Sequence, residues 1–213
     1  MSLVVKTRRK ALKDIHIALV TENDSSNYAT ETPIKLGRSI SVKETVKKNV
    51  EKTYSDDGVE EVIESYVSTE IEFDVNKLSP EDKSMVRGAL YENGFLVYNK
   101  DDKTPEVAIG WRAKNTNGKY EFIWHYCGKF NEGWTENFET EQEKVKTQTS
   151  KMKGTFYARD KDGNYKIEVD ETYLLDEHKD AKSAIENWFS KVPELVKATK
   201  SQEESLSEVK EKQ

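Results

Sequence analysis

Between residues 120 and 127 every second side chain is aromatic. Tyr120, Phe122, Trp124 and Tyr126 alternate with Glu121, Ile123, His125 and Cys127. Successive side chains of a strand point to opposite faces, so a strand that is apolar on nearly both faces belongs in the middle of a fold, between two layers. Two other segments alternate on one side only. In a strand read from about Ile34 to Val50, Ile40, Val42 and Val46 interleave with Ser41, Lys43, Thr45 and Lys47, and Glu44 breaks the apolar side. In the strand from Ser68 to Val75, Ile71, Phe73 and Val75 face one way and Glu70, Glu72 and Asp74 the other. Long one-sided strands also offer edges for pairing with another chain.

Shorter elements surround these strands. Residues 1–20 read as an arm and a first strand, with Ile15, Ile17 and Leu19 on one side, and residues 21–33 as a loop. Residues 51–66 read as a long loop or the tip of an extended hairpin, turning at Tyr54–Gly58. Ser79-Pro80-Glu81-Asp82 starts a helix whose buried face is Met85, Val86 and Leu90 and whose end is Asn93-Gly94. Strands follow at Phe95–Tyr98, Glu106–Lys114 and Lys119–Phe130, the last two joined by a turn at Asn115–Gly118. Gly133–Gln148 reads as a loop, and Lys151–Arg159 and Asn164–Val169 as a hairpin. A helix over Asp180–Val192 places Ile185, Trp188 and Phe189 on a docking face, and residues 193–213 form a polar, flexible tail. The expected class is mainly β with flanking helices, α+β.

The 213 residues carry 40 acidic and 34 basic side chains, a net charge of −6, which argues against a dedicated nucleic-acid binder. Hydrophobic and charged residues each make up 35% of the chain. So lean a core suits a subunit stabilised by neighbours, or a highly charged monomer with loose ends. One cysteine, Cys127, excludes an internal disulfide and fits a reducing compartment. No apolar run has signal-peptide or membrane-spanning length.

Catalytic chemistry finds little support. His16 and His125 lie in strands and read as structural; His125 and Cys127 share a face but lack further ligands at metal spacing. The acids Glu70, Glu72 and Asp74 offer no asymmetry that would raise one pKa for glycoside hydrolysis. No cofactor, metal or enzyme activity is expected. Lys6, Arg8, Arg9, Lys10 and Lys13 suit a solvated arm or a protein contact better than nucleic-acid recognition.

Five pieces in order carry a resemblance. They are Ala11–Ala18, Lys52–Gly58, and Val107–Arg112 with Asn117–Tyr120 and Trp124–Phe130, then Gly154–Phe156 and Asn187–Phe189. Together they resemble the phi13-type family of phage major tail proteins over about residues 11–192. The resemblance implies a tail-tube β-sandwich or barrel-like domain over 11–192, with a long hairpin that joins neighbours into an inter-subunit barrel. It implies hexameric rings stacked into a tube in the virion tail, assembled in the host cytoplasm. The lumen would hold DNA and the tape measure protein, tail terminator and distal tail proteins would sit at the ends, and no membrane is involved. Glu70, Glu72 and Asp74 are then candidates to face the lumen. Ile40, Val42, Val46, Tyr54, Asp56 and Asp57 are candidates for inter-subunit contacts. The alternative is a monomeric β-sandwich binding module, for instance for carbohydrate.

Overall fold

The structure is a computed structural model that describes residues 5–55, 58–136, 138, 140 and 149–195. Its strands are β1 (Arg9–Asn23), β2 (Tyr28–Thr30), β3 (Ile34–Lys35), β4 (Ser39–Ser55), β5 (Gly58–Val75), β6 (Leu90–Glu92), β7 (Phe95–Val97), β8 (Val107–Asn115), β9 (Tyr120–Lys129), β10 (Trp134–Glu136), β11 (Ser150–Tyr157) and β12 (Lys166–Asp170). Two short helices accompany them, α1 (Pro80–Arg87) and α2 (Lys179–Glu186).

The main sheet is antiparallel and runs β2-β1-β8-β9-β11-β5-β4, with β3 on β1, β12 on β9 and β10 on β11. Strands from distant points of this path share one core: Ile15 and Ile17 of β1 pack with Ile71 and Phe73 of β5, Trp111 of β8 and Phe156 of β11. The sheet therefore curls around that cluster. No ladder joins β1 to β4 among the described residues, so the barrel stays open along that seam.

Both faces of β9 are buried, as its alternating sequence demands. Ile123 belongs to the inner cluster, while Phe122, Trp124 and Tyr126 form a second cluster with Ala18, Trp188 and Val192 on the sheet's other face. Side-chain volume is fitted closely here. A Cβ on Gly128 of β9 would lie 2.2 Å from the Phe156 ring.

Several boundaries differ from the sequence reading. Of the two readings open for 51–66, the extended hairpin is the one found: the segment is strand throughout its described residues and joins β4 to β5. The strand read from Ile34 is split, because Gly37 takes a positive φ of 45° between β3 and β4. The stretch 21–33 holds the end of β1 and β2, with the Asp24 carboxylate accepting from the backbone of Ser26 and Asn27 at the turn. Helix α1 ends at Arg87, not at Asn93-Gly94. Gly88 adopts φ 72° and donates to the Ser84 carbonyl, the left-handed stop that a helix end favours. Leu90 consequently leaves the helix and is 59% exposed in β6, and Asn93-Gly94 turns the β6–β7 hairpin instead. The 133–148 stretch contains β10. Strands β11 and β12 do not pair with each other: both bind successive parts of the same edge of β9.

Candidate assembly surface

The β4–β5 hairpin is the dominant feature. Strand β11 covers β5 only from Thr69 to Val75, while the β4–β5 ladder continues outward to Ser55 and Gly58. Beyond Tyr66, whose side chain still touches the body, the ribbon projects as an arm held only by its own two strands among the described residues. At the rise of a strand, its eight or so rungs extend roughly 25 Å. The arm leaves Val50, Tyr54, Val62 and Ile63 exposed, Tyr54 at 68%. A lone two-stranded ribbon with open edges is marginal in water.

Register shifts at Lys47/Lys48 set the arm's faces. Lys47 pairs with Ser68 and Lys48 with Tyr66, so Val67 is the extra residue and is 55% exposed. Tyr66 thereby turns to the core side, where its hydroxyl donates to the Phe156 carbonyl at 3.2 Å and its ring stacks on Tyr165.

At the hairpin's base Ile71, Phe73 and Val75 are fully buried, and Glu70, Glu72 and Asp74 occupy the outer face. These acids do not stand alone. Glu72 sits across from Lys43 on one side and Lys153 on the other, and Asp74 sits across from Lys151. Glu70 pairs with Lys47 and, at 3.3 Å, with Lys153. The hydrogen bond from Lys47, with further support from Lys153, holds the Glu70 carboxyl below its usual pKa range. The face is thus a ladder of alternating sign. Sequence alternation located the acids, but the lysines emerge only from strand pairing.

Of the residues read as contact candidates, Ile40, Val46 and Tyr54 are exposed, with Ile40 at an irregularity in the ladder. Val42 is half-buried against the inner core. Asp56 and Asp57 lie outside the described residues.

Glu44, which interrupts the apolar side of β4, anchors the hairpin's base to the body. Both its carboxylate oxygens accept from Lys166 Nζ of β12 at 3.2 Å, and His125 Nε2 lies 3.5 Å away. His125 is fully buried, stacked on Trp111, and neither of its ring nitrogens has a hydrogen-bond partner among the described residues. Burial lowers the His125 pKa and keeps the ring neutral, so Lys166 is the cation that balances Glu44 at neutral pH. Burial pushes the Glu44 carboxyl up, but in the acid range where it titrates the protonated His125 ring and Lys166 prevail and bring it down to about 2. Beside this group, the open seam between β1 and β4 forms a cleft of about 500 Å³, floored by Leu12, Val42 and Trp111 and rimmed by Arg9, Lys10 and Glu44.

On the other face, Ile185, Trp188 and Phe189 pack on the second cluster. The helix α2 itself stops at Glu186, earlier than its sequence pattern suggests. Trp188 and Phe189 follow in a turn tightened by bonds from Asn187 N to Ala184 O and from Trp188 N to Ile185 O. Phe189 stacks on His16 with ring centroids 4.2 Å apart.

An arm with open edges and a charge-laddered sheet face suit a subunit that pairs with copies of itself. Comparison with protein families agrees: the family model described as phage tail tube protein matches residues 38–181. The chain belongs to the phage tail tube protein family, and is accordingly a structural, non-enzymatic component of the virion tail. No curated protein matches it.

Proposed function

We propose that copies of this chain close into hexameric rings, of the kind formed by phi13-type major tail proteins, and that these rings stack into the tube through which phage DNA passes. The observation that supports this reading is the layer β10-β11-β5-β4. Its β4 edge is unpaired along its length among the described residues, and ring closure would remove that edge. In this arrangement the layer over residues 39–75 and 150–157 is the wall of a continuous barrel. Ile40, Val42, Val46 and Tyr54, with Asp56 and Asp57, lie toward the neighbouring copy. Residues 11–192 act as the tube domain and 193–213 as an appended tail.

Glu70, Glu72 and Asp74 face the lumen. Their role there is neutralisation. Lys43, Lys47, Lys151 and Lys153 on the same face would bind phosphates and hold the DNA, because each neutralised phosphate releases counterions. Interleaved acids prevent such a basic track. The tape measure protein occupies the lumen before DNA does, terminator and distal tail proteins close the two ends, and assembly takes place in the host cytoplasm. Negative-stain imaging of the purified protein at high concentration tests the reading. Rings or tubes with sixfold end views are the expected result, and particles that remain monomeric at every concentration refute it.

A further inference from the structure

The arm and the first strand carry opposite charge. Residues 48–64 contain six acids (Glu51, Asp56, Asp57, Glu60, Glu61, Glu64) and only two lysines. Residues 6–13 contain five basic residues and no acid. Within one copy these charges are largely unused. Among the described residues the arm makes one internal ion pair, Lys48–Glu64, and Glu51, Glu60 and Glu61 meet no cation. Of the five basic residues, only Arg9 meets a carboxylate of the described residues, that of Glu121, while Lys6, Arg8, Lys10 and Lys13 meet none among them.

Backbone edges match as well. β1 pairs with β8 on one side, but its other side has no partner among the described residues from Arg9 to Asp14, until His16 and Ile17 meet β3. Among the described residues β5 has an open edge from Gly58 to Ser68, where β11 has not yet joined. Apolar surface follows the same line: Val62 and Ile63 are about half exposed on the arm, and the β1–β4 cleft beside Lys10 has an apolar floor. The strands alternate in direction from β5 through β11, β9 and β8 to β1, so the start of β1 and the hairpin tip point the same way.

We infer that the acidic arm of one copy docks along the basic start of β1, at the open β1–β4 seam, of a second copy. This rests on the tube reading and deepens it by naming the surface that receives the arm. Two different patches meet, so the contact is heterologous. Such a contact propagates from copy to copy and closes into a ring when the rotation allows. Both patches point toward the same end of the sheet, which makes the contact one between side-by-side copies. Its charges are solvent-facing, so salt above about 0.5 M, where the screening length shrinks toward a few ångströms, weakens it.

Charge exchange on the full chain tests the inference. Lys10→Glu with Lys13→Glu should abolish or reduce assembly at least tenfold by sedimentation, with the monomer's circular dichroism melt unchanged. Glu60→Lys with Glu61→Lys should do the same alone. Mixing the two variants gives each an intact complementary surface toward the other, and combining all four changes in one chain restores opposite signs at every contact, so assembly should return in both cases. Wild-type assembly of the Lys10/Lys13 variant overturns the inference, as does failure of the four-residue exchange to recover assembly when its melt is normal. Lost binding to a DNA oligonucleotide with assembly unchanged would assign the basic strand to nucleic acid and overturn it too. If wild-type protein itself never assembles, the tube reading has failed, an outcome distinct from these.

Discussion

The indole Nε1 of Trp124 donates to the backbone carbonyl of Trp188 at 2.9 Å, tying the centre of β9 to the turn after α2. Trp188 is itself 1% exposed and meets the Phe122 ring edge-on with centroids 5.6 Å apart. Trp188→Ala removes this cover while leaving the carbonyl in place. It should cost about 3–5 kcal/mol, the range for deleting a large buried ring, read as a shift in the urea midpoint. An unchanged midpoint would mean that the α2 segment adds no stability to the sheet.

Acid should weaken the fold in two stages. Burial lowers the pKa values of His125 and His16 below their ordinary 6.5. Below pH 6.5 the unfolded chain takes up protons at these rings while the folded chain resists, so stability falls with falling pH. Glu44, brought from 4.5 to about 2, adds a second loss as pH drops through that lower window. Ordinary carboxylates titrate mainly below this range, so His125→Phe should flatten part of the first decline. Denaturation midpoints recorded across this range check it, and a wild-type profile flat from 6.5 to 5.5 would contradict it.

Gly88 is constrained twice over. Its φ of 72° is left-handed, and a Cβ there would lie 2.2 Å from the Lys103 carbonyl oxygen. Gly88→Ala should therefore destabilise by at least about 1–2 kcal/mol, the backbone cost alone, whereas Gly94→Ala, with open space around the Cβ, should cost only the left-handed strain. Thermal melts of the two variants should separate accordingly.

Reversal of two wall acids, Glu70→Lys with Glu72→Lys, converts the alternating ladder into a basic track. Tubes should still form if the variant folds, and DNA release from particles carrying it should slow, more so at low salt. Normal infectivity from such particles would place these acids away from the DNA path.

Much of this architecture was legible from alternation alone. The two-sided burial of β9 follows from its aromatic rhythm, and the buried trio Ile71, Phe73 and Val75 from theirs. What escaped was information held in pairing. Composition gave no means of choosing between loop and ribbon for 51–66, because strands without a buried face have no apolar signature; their regularity comes from each other. Asn93-Gly94 carries a stronger local stop signal than Gly88, whose left-handed turn is set by its approach to Lys103. Lysine neighbours of Glu70, Glu72 and Asp74 come from segments up to about eighty residues away, and no window along the chain could bring them together.

Val67 shifts the phase of the ribbon by one residue, and the β5 side chains from Tyr66 to Glu61 owe their face to that shift, up to a second irregularity at Glu60. Excision of this single exposed valine would leave composition, charge and core untouched. It would nevertheless exchange the two faces of β5 from Tyr66 outward, relative to its base. Tyr66 would rotate away from Tyr165, and Val62 and Glu64, which share one face, would trade sides with Glu61 and Ile63, which share the other. In such an arm, length can vary by pairs of residues with little penalty, whereas an odd change rewrites what the subunit shows its neighbour.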